Sequence, residues 1–235
     1  MKIEAVIICI NYADFLKITL PANKKQLDRI VVVTDKKDEE TLSVCLENDV
    51  ECIQTDIFYR DDNGKPNKAL GINEGLSRLD EDGWVLQIDA DIWLPSFARQ
   101  MLDCIELDET CVYGIDRMMC NSRELWDSFI NRSPLIHDRF LLNLDIFPIG
   151  ARIVQIREDS FLPIGFFQLW NPNKSGVKTY RVEIGAGFER TDILHAKQFA
   201  NNKRKLIPEL VCIHLASEGS SYSGQNWNGR ISKRF

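Results

Sequence analysis

Five continuous apolar runs of strand length, separated by helix-compatible stretches, constrain this chain more than any other feature. They are IEAVIICI (3–10), DRIVVVTD (28–35), VECIQTD (50–56), WVLQIDAD (84–91) and CVYGID (111–116). Alternating apolar and polar residues would mark strands with one wet face, whereas continuous runs mark strands covered on both. In NKALGINEGLSRL, Ala69, Ile72, Leu76 and Leu79 fall at helical spacing behind Asn67, a suitable N-cap directly after Pro66. KDEETLSVCLEN is acidic early, as a helix N-terminus favours. SFARQMLDCIEL offers Ser96 as a cap, and DFLKITLPANKKQL reads as a helix interrupted by Pro21.

This alternation predicts an α/β fold, a mainly parallel central sheet with right-handed crossovers and flanking helices. Such sheets take ligands outside the carboxyl ends of their strands. The predicted ends carry Asn11 and Tyr12, Thr34 and Asp35, Asp56, and Asp89 with Asp91. Beyond residue 116 the pattern loosens. SRELWDSFI reads as a short helix, and DIFPIGARIVQI and PIGFFQLWN as antiparallel strands. YRVEIGAGFERTDILHAKQFANNKR reads as a strand leading through Gly185 and Gly187 into a helix, and IPELVCIHL as the last strand. The Gly-, Ser- and Asn-rich tail reads as a loop that orders on a ligand. With no repeat and no linker, residues 1–235 form one expected domain, with an N-terminal half (1–116) and a C-terminal half (117–235).

Hydrophobic residues at 44% and charged residues at 27% suit a globular chain with a large core. No apolar run approaches the roughly 18 residues of a bilayer span. The opening MKIEAVIICINYADF lacks a small-residue cleavage site and reads as a first strand, not a signal peptide. Seven cysteines, odd in number and without a CxxC pair, argue against a disulfide framework or a structural zinc site and for a reducing, cytoplasmic setting. The net charge of −6 conceals an asymmetry: residues 196–235 carry seven Lys/Arg against two Glu, +5, which leaves −11 to the rest. A basic C-terminal segment suits an anionic ligand or partner, and equally a solvated tail.

Asp89 and Asp91 place two like charges at the end of an apolar strand. Two hard carboxylates beside a crevice suit Mg²⁺ or Mn²⁺, which removes their repulsion and can hold a diphosphate. The alternative is a turn in which one aspartate caps the next helix and the other is solvated.

NKALGINEGL followed by VLQIDADIWLP closely resembles the nucleotide-sugar-dependent glycosyltransferases of the GT-A fold, especially the family-2-like group. The matching residues are Lys68, Ala69, Asn73, Gly75, Leu76, Asp89, Asp91 and Pro95. VIICINYADFLKITLPAN resembles the family's first strand and nucleotide-contacting loop, and VVVTD its second strand. The resemblance implies a GT-A-like sheet in which residues 1–116 bind the donor and 117–235 the acceptor. It implies a UDP- or GDP-sugar donor contacted by Asn11 and Tyr12, Asp35 at base or ribose, Lys68 at a phosphate or ribose oxygen, and Asp89. Asp91, Asp89 and a C-terminal histidine, His214, would hold Mn²⁺ or Mg²⁺, while Arg230, Lys233 or Arg234 would clamp the leaving diphosphate.

GAGFERTDILHAKQF resembles the segment whose acidic residue acts as general base. Asp192 fits that position best and Glu189 second, although the usual Glu-Asp doublet is replaced by Thr191-Asp192. Read without the resemblance, Asp192 is a helix N-cap, and His195 belongs on the helix surface. The expected acceptor is a saccharide or lipid-linked precursor, or a hydroxymethylated base in DNA. Trp126, Trp170 and Trp227 are candidate sugar or base platforms, with core packing preferred for Trp170. The competing classes are a nucleotidyltransferase acting on a sugar phosphate, although INYADFLK lacks the glycine-rich phosphate loop, and a non-catalytic nucleotide or sugar binder.

Overall fold

The computed structural model describes residues 1–60, 66–80, 82–131, 152–153, 156–157, 160–184, 190–215 and 226–231. Each of the five apolar runs forms a strand. The order is β1 (Ile3–Ile8), α1 (Ala13–Asn23), β2 (Arg29–Asp35), α2 (Glu39–Glu47), β3 (Glu51–Thr55), α3 (Lys68–Leu76) and β4 (Trp84–Asp89). There follow β5 (Ile92–Trp93), α4 (Ala98–Cys104), β6 (Val112–Cys120), α5 (Arg123–Ile130), β7 (Arg152–Ile153), β8 (Ile156–Arg157) and β9 (Ser160–Phe161). The described chain closes with β10 (Phe167–Trp170), α6 (Pro172–Ser175), α7 (Thr191–Ala196) and β11 (Arg204–Leu215).

The main sheet runs β3-β2-β1-β4-β10-β6-β11-β5, with β7 also on β6, and β8 pairs separately with β9. Strands β3, β2, β1 and β4 are mutually parallel. The fifth run does not extend that set directly. β10 inserts antiparallel between β4 and β6, pairing Phe167 with Ile88 and Leu169 with Tyr113. β6 therefore points the same way as β4, and β11 runs parallel to β6. Six strands thus share one direction, and their carboxyl ends share one rim.

Both faces of the sheet are covered, as the continuous runs require. Ile3, Ala5 and Ile7 of β1 pack with Phe15, Leu16 and Leu20 of α1 on one face. Val6 and Ile8 pack with Phe58, Ile72 and Tyr180 on the other. Helix α3 lies so close to β1 that a Cβ on Gly75 would come within 2.6 Å of Val6 Cγ1. Asn67 caps α3 through Ala69 N–H (3.1 Å), and Ser122 caps α5 through Leu125 N–H (3.3 Å).

The structure differs from the expectations at four places. Helix α1 continues through Pro21, which stands in its last turn and forgoes a single ladder bond, that to the Lys17 carbonyl, without ending the helix. Helix α4 starts behind Phe97 with no side-chain cap, so Ser96 is not its cap. Tyr180 to Ile184 form no strand, because the Asn73 side chain bonds both the N–H and the carbonyl of Tyr180 (2.8 and 2.9 Å) and takes the place of a ladder. His195 is buried, not on a helix surface. Gly185 and Gly187 lie outside the described residues, as does most of DIFPIGARIVQI; its Arg152–Ile153 pairs antiparallel with β6. Among the described residues no helix is long and apolar enough to cross a membrane.

Candidate functional site

One corner of the rim joins the ends of β1 and β2 to the starts of α1 and α2. Asn11 leaves β1 in the left-handed region (φ 56°), a conformation asparagine tolerates better than most residues. Its N–H donates to Asp38 Oδ2 at 2.9 Å. The buried Asp38 carboxylate also accepts from Thr34 Oγ1 (2.9 Å), Thr41 Oγ1 (2.8 Å) and Thr41 N–H (3.0 Å). Tyr12 is buried edge-on against Phe15, with ring centroids 5.3 Å apart. Burial, reinforced by Asp91, Asp14 and Asp89, pushes its phenol well up. Asp35 is also buried and accepts from Lys37 N–H at 2.8 Å. Burial and then the bond to Asp35 push the Tyr59 phenol up.

The C-terminal segment docks on this same corner. Asn226 donates to both oxygens of Asp14 (2.9 and 2.7 Å), and Asn11 Nδ2 donates to the Ile231 carbonyl (3.0 Å). Trp227 packs edge-on against Phe15 at 4.7 Å and donates to the Cys120 carbonyl (3.2 Å). Arg230 bonds Glu40 and approaches Asp14 (3.9 Å), and its bond holds the Glu40 carboxyl below the usual range. Arg230, expected at a diphosphate, is thus paired with acids of the rim. Lys233 and Arg234 lie outside the described residues.

A second corner gathers around the ends of β4 and β11. Lys68, the first residue of α3, donates to Asp89 Oδ1 at 2.6 Å, and Gln87 Nε2 reaches the same oxygen at 3.0 Å. Burial depresses the Lys68 ammonium, but Asp89, Asp192 and Asp91 outweigh it, so its pKa is raised. Asp91 lies in the turn between β4 and β5. Its Oδ2 is 3.2 Å from His214 Nε2, while Oδ1 is buried with no hydrogen-bond partner among the described residues. Burial resists ionisation of Asp91; His214 and Lys68 overcome it and hold the carboxyl below its ordinary range. β11 delivers His214 by pairing it with Ile92, and Leu215 N–H bonds the Asp91 carbonyl (2.9 Å). Arg117, buried in β6, lies 2.9 Å from His214 Nδ1.

Asp91, with its open buried oxygen, and Asp89 offer hard oxygen donors suited to Mg²⁺ or Mn²⁺. These residues fit a divalent cation as a carboxylate pair. Among the described residues no group of three or more Asp, Glu, His or Cys is arranged as a ligand set.

Asp192 closes this corner from α7. Its Oδ2 accepts from Gly165 N–H (2.6 Å) and its Oδ1 from Ile193 N–H (2.9 Å). Gly165 is required by this approach, since a Cβ there would lie 2.7 Å from Asp192 Cβ. Asp192 is therefore not the N-cap, which is Arg190. Burial raises its carboxyl pKa; Lys68 and the two amides offset this only in part. Glu189 lies outside the described residues. His195 stacks on Tyr180 (3.8 Å, 7° between planes), and burial pushes its pKa down to about 3. Trp126 packs against Trp93 (5.9 Å) and Trp170 is fully buried, so both are core residues.

Reading the sequence missed Asp38, Arg117 and Gly165. Asp38 carried a signal as the acidic residue at the head of α2. Arg117 and Gly165 carried none, because their partners are 97 and 27 residues away.

The family model described as glycosyl transferase family 2 matches residues 4–160. No curated protein matches the chain. Among solved structures, mannosyl-3-phosphoglycerate synthase from Rubrobacter xylanophilus is similar at 14% identity and a TM-score of 0.52, over 94% of this chain and 68% of that one. Inositol-1-phosphate CTP transferase from T. maritima is similar at 12% identity and a TM-score of 0.50, over 93% of this chain and 92% of that one. At these identities the likeness is one of fold.

Proposed function

The chain belongs to glycosyl transferase family 2, and from that premise we propose that it moves a sugar from a UDP- or GDP-sugar to an acceptor hydroxyl with Mn²⁺ or Mg²⁺ at Asp91 and Asp89. One observation carries the metal reading: Asp91 Oδ1 is buried at the carboxyl rim with no hydrogen-bond partner among the described residues. A buried acceptor left unmade is costly, and a cation is the partner that the charge of this carboxylate favours.

When bound, the cation supplies Lewis-acid stabilisation of the departing diphosphate. Lys68, 2.6 Å from Asp89 Oδ1, offsets the charge that this carboxylate brings to the site. Asn11, Tyr12 and Asp35 mark the part of the rim where the nucleoside would lie. Asp192, held by Gly165, would take the proton of the acceptor hydroxyl in an inverting transfer, with Glu189 the second candidate. Arg230 would reach a diphosphate after leaving Glu40 and Asp14, joined by Lys233. Residues 1–116 would carry the donor and 117–235 the acceptor, in a cytoplasmic enzyme. A saccharide or lipid-linked acceptor is favoured over a modified base in DNA. Lys203 pairs with Asp108 (3.0 Å) and Arg230 with Glu40, which leaves less free positive charge for a phosphate backbone.

The test is a panel of sugar nucleotides assayed for Mn²⁺-dependent release of free nucleotide. Turnover that falls by about 10²–10³-fold in Asp91→Asn is the expected result. Pyrophosphate released from a nucleoside triphosphate and a sugar phosphate would replace the proposal with nucleotidyl transfer. Metal-independent nucleotide binding without turnover would replace it with a binding protein.

A further inference from the structure

We propose that Arg117 locks His214 with its Nε2 proton aimed at Asp91, so that His214 positions this carboxylate and is not itself a ligand of the cation. The inference rests on the metal reading of Asp91 above. A guanidinium N–H can only donate. Its 2.9 Å approach to His214 Nδ1 therefore makes Nδ1 the acceptor. A neutral imidazole that accepts at one nitrogen carries its proton on the other. That other nitrogen, Nε2, lies 3.2 Å from Asp91 Oδ2. Binding a cation through Nε2 would require its lone pair and would move the proton to Nδ1. There it would face an N–H of a buried cation at 2.9 Å, donor against donor.

Arg117 has little freedom to withdraw. Its guanidinium lies 4.6 Å above the centroid of the Phe166 ring, and that ring stacks on His214 at 6.4 Å with 17° between planes. β6 and β11 are hydrogen-bonded neighbours with Arg117 opposite Cys212 and His214 opposite Met119, so one sheet fixes both backbones. The consequence falls on Asp91: one oxygen is held by His214 and the other is left open. The site is then a carboxylate pair in which an Arg117–His214 relay orients Asp91, while Lys68 and Gln87 hold Asp89. Arg117 and His214 are positioning residues in this arrangement, and no sequence pattern announces the relay.

Nitrogen NMR on the full chain decides the point, because the chain holds three histidines, His137, His195 and His214. With ¹⁵N-histidine labelling and no metal, His214 is expected to carry its proton on Nε2 and to accept at Nδ1. Addition of Mg²⁺, and separately of Cd²⁺ as a diamagnetic ion that accepts nitrogen ligands, is expected to leave that proton in place. A proton on Nδ1, or loss of the Nε2 proton with a coordination shift, overturns the proposal. Mn²⁺ affinity by electron paramagnetic resonance gives an independent reading. Arg117→Met is expected to weaken binding by roughly 10-fold or more, the usual scale for losing a partner behind a metal-holding group. Arg117→Lys, which can still donate to Nδ1, should recover part of that loss. Equal or tighter binding in Arg117→Met also overturns the proposal. If the protein binds no Mn²⁺ at all, the metal reading of Asp91 fails, whereas the metal-free spectrum still decides the tautomer.

Discussion

The two corners of the rim are built from the same residue types and arranged to opposite ends. At the β1–β2 corner, Asp38 receives four donors and Asp14 and Glu40 are engaged by Asn226 and Arg230. At the β4–β11 corner, Asp91 keeps a buried oxygen without a partner among the described residues, and burial holds the Asp192 carboxyl above its usual range. A carboxylate whose lone pairs are filled by the fold contributes to the fold. A buried one left open retains free energy that a ligand can recover. The contrast separates Asp38, filled by the fold, from Asp91, left open; Asp192 also accepts from two amides and is set apart by the burial that raises its pKa.

The sharpest way to break this contrast is at Asp192. Asp192→Asn is expected to lower turnover on the order of 10²–10⁴-fold with nucleotide binding retained, as for loss of a general base. Unchanged single-turnover rates would remove Asp192 from the chemistry. Its pH dependence has a definite sign. Burial raises the folded pKa above the ordinary ~3.9, so the acid limb of kcat/KM should lie above that value and vanish in the variant. Between the two values the native state keeps a proton that the unfolded chain has released. This group therefore makes stability fall as pH rises through that window.

Asp91→Asn comes next. Loss of the cation's charge stabilisation, worth several kcal/mol, corresponds to about 10²–10³-fold in rate, with little change in chemical denaturation. A large loss of stability instead would move Asp91 to the structural side of the contrast. Asp38→Ala is the mirror experiment. Four donors lose their acceptor, and denaturant unfolding should show a loss of about 2–4 kcal/mol.

Gly165→Ala sharpens the comparison by displacing Asp192 without removing it. Overpacking of this kind costs about 1–3 kcal/mol, and turnover should fall more than Mn²⁺ affinity. The smallest effect is expected from His195→Phe, which keeps the stack on Tyr180. At neutral pH stability should change by less than about 1.5 kcal/mol. Wild-type His195 stays neutral down to about 3 while the unfolded chain protonates near ~6.5, so stability is lost as pH falls between them. The variant should lose less stability over that interval.

The N-terminal half of the fold was legible because its signals are local. Continuous runs such as IEAVIICI and DRIVVVTD identify doubly covered strands, and Asn67 caps the helix that follows it, as a side chain bonding the amide two residues on. Asp89 and Asp91 stood out for the same reason, as charges ending an apolar strand. Local pattern gave no warning that β10 would come between β4 and β6, because strand periodicity does not encode which neighbour a strand chooses. His195 was misplaced for a related reason. A six-residue helix has too few positions for its apolar face to be read, and the Tyr180 and Trp170 rings that bury it come from elsewhere in the chain.

By itself the sequence determined the strand–helix alternation, the positions of the strand ends and the two carboxylates of the DAD turn, since each depends on contacts within a few residues. Tertiary structure alone decided what each charge meets: Lys68 on Asp89, Arg230 on Glu40, Gly165 under Asp192 and Arg117 behind His214. Whether a buried charge is filled or left open depends on partners tens to hundreds of residues away, and those distances exist only once the sheet has closed.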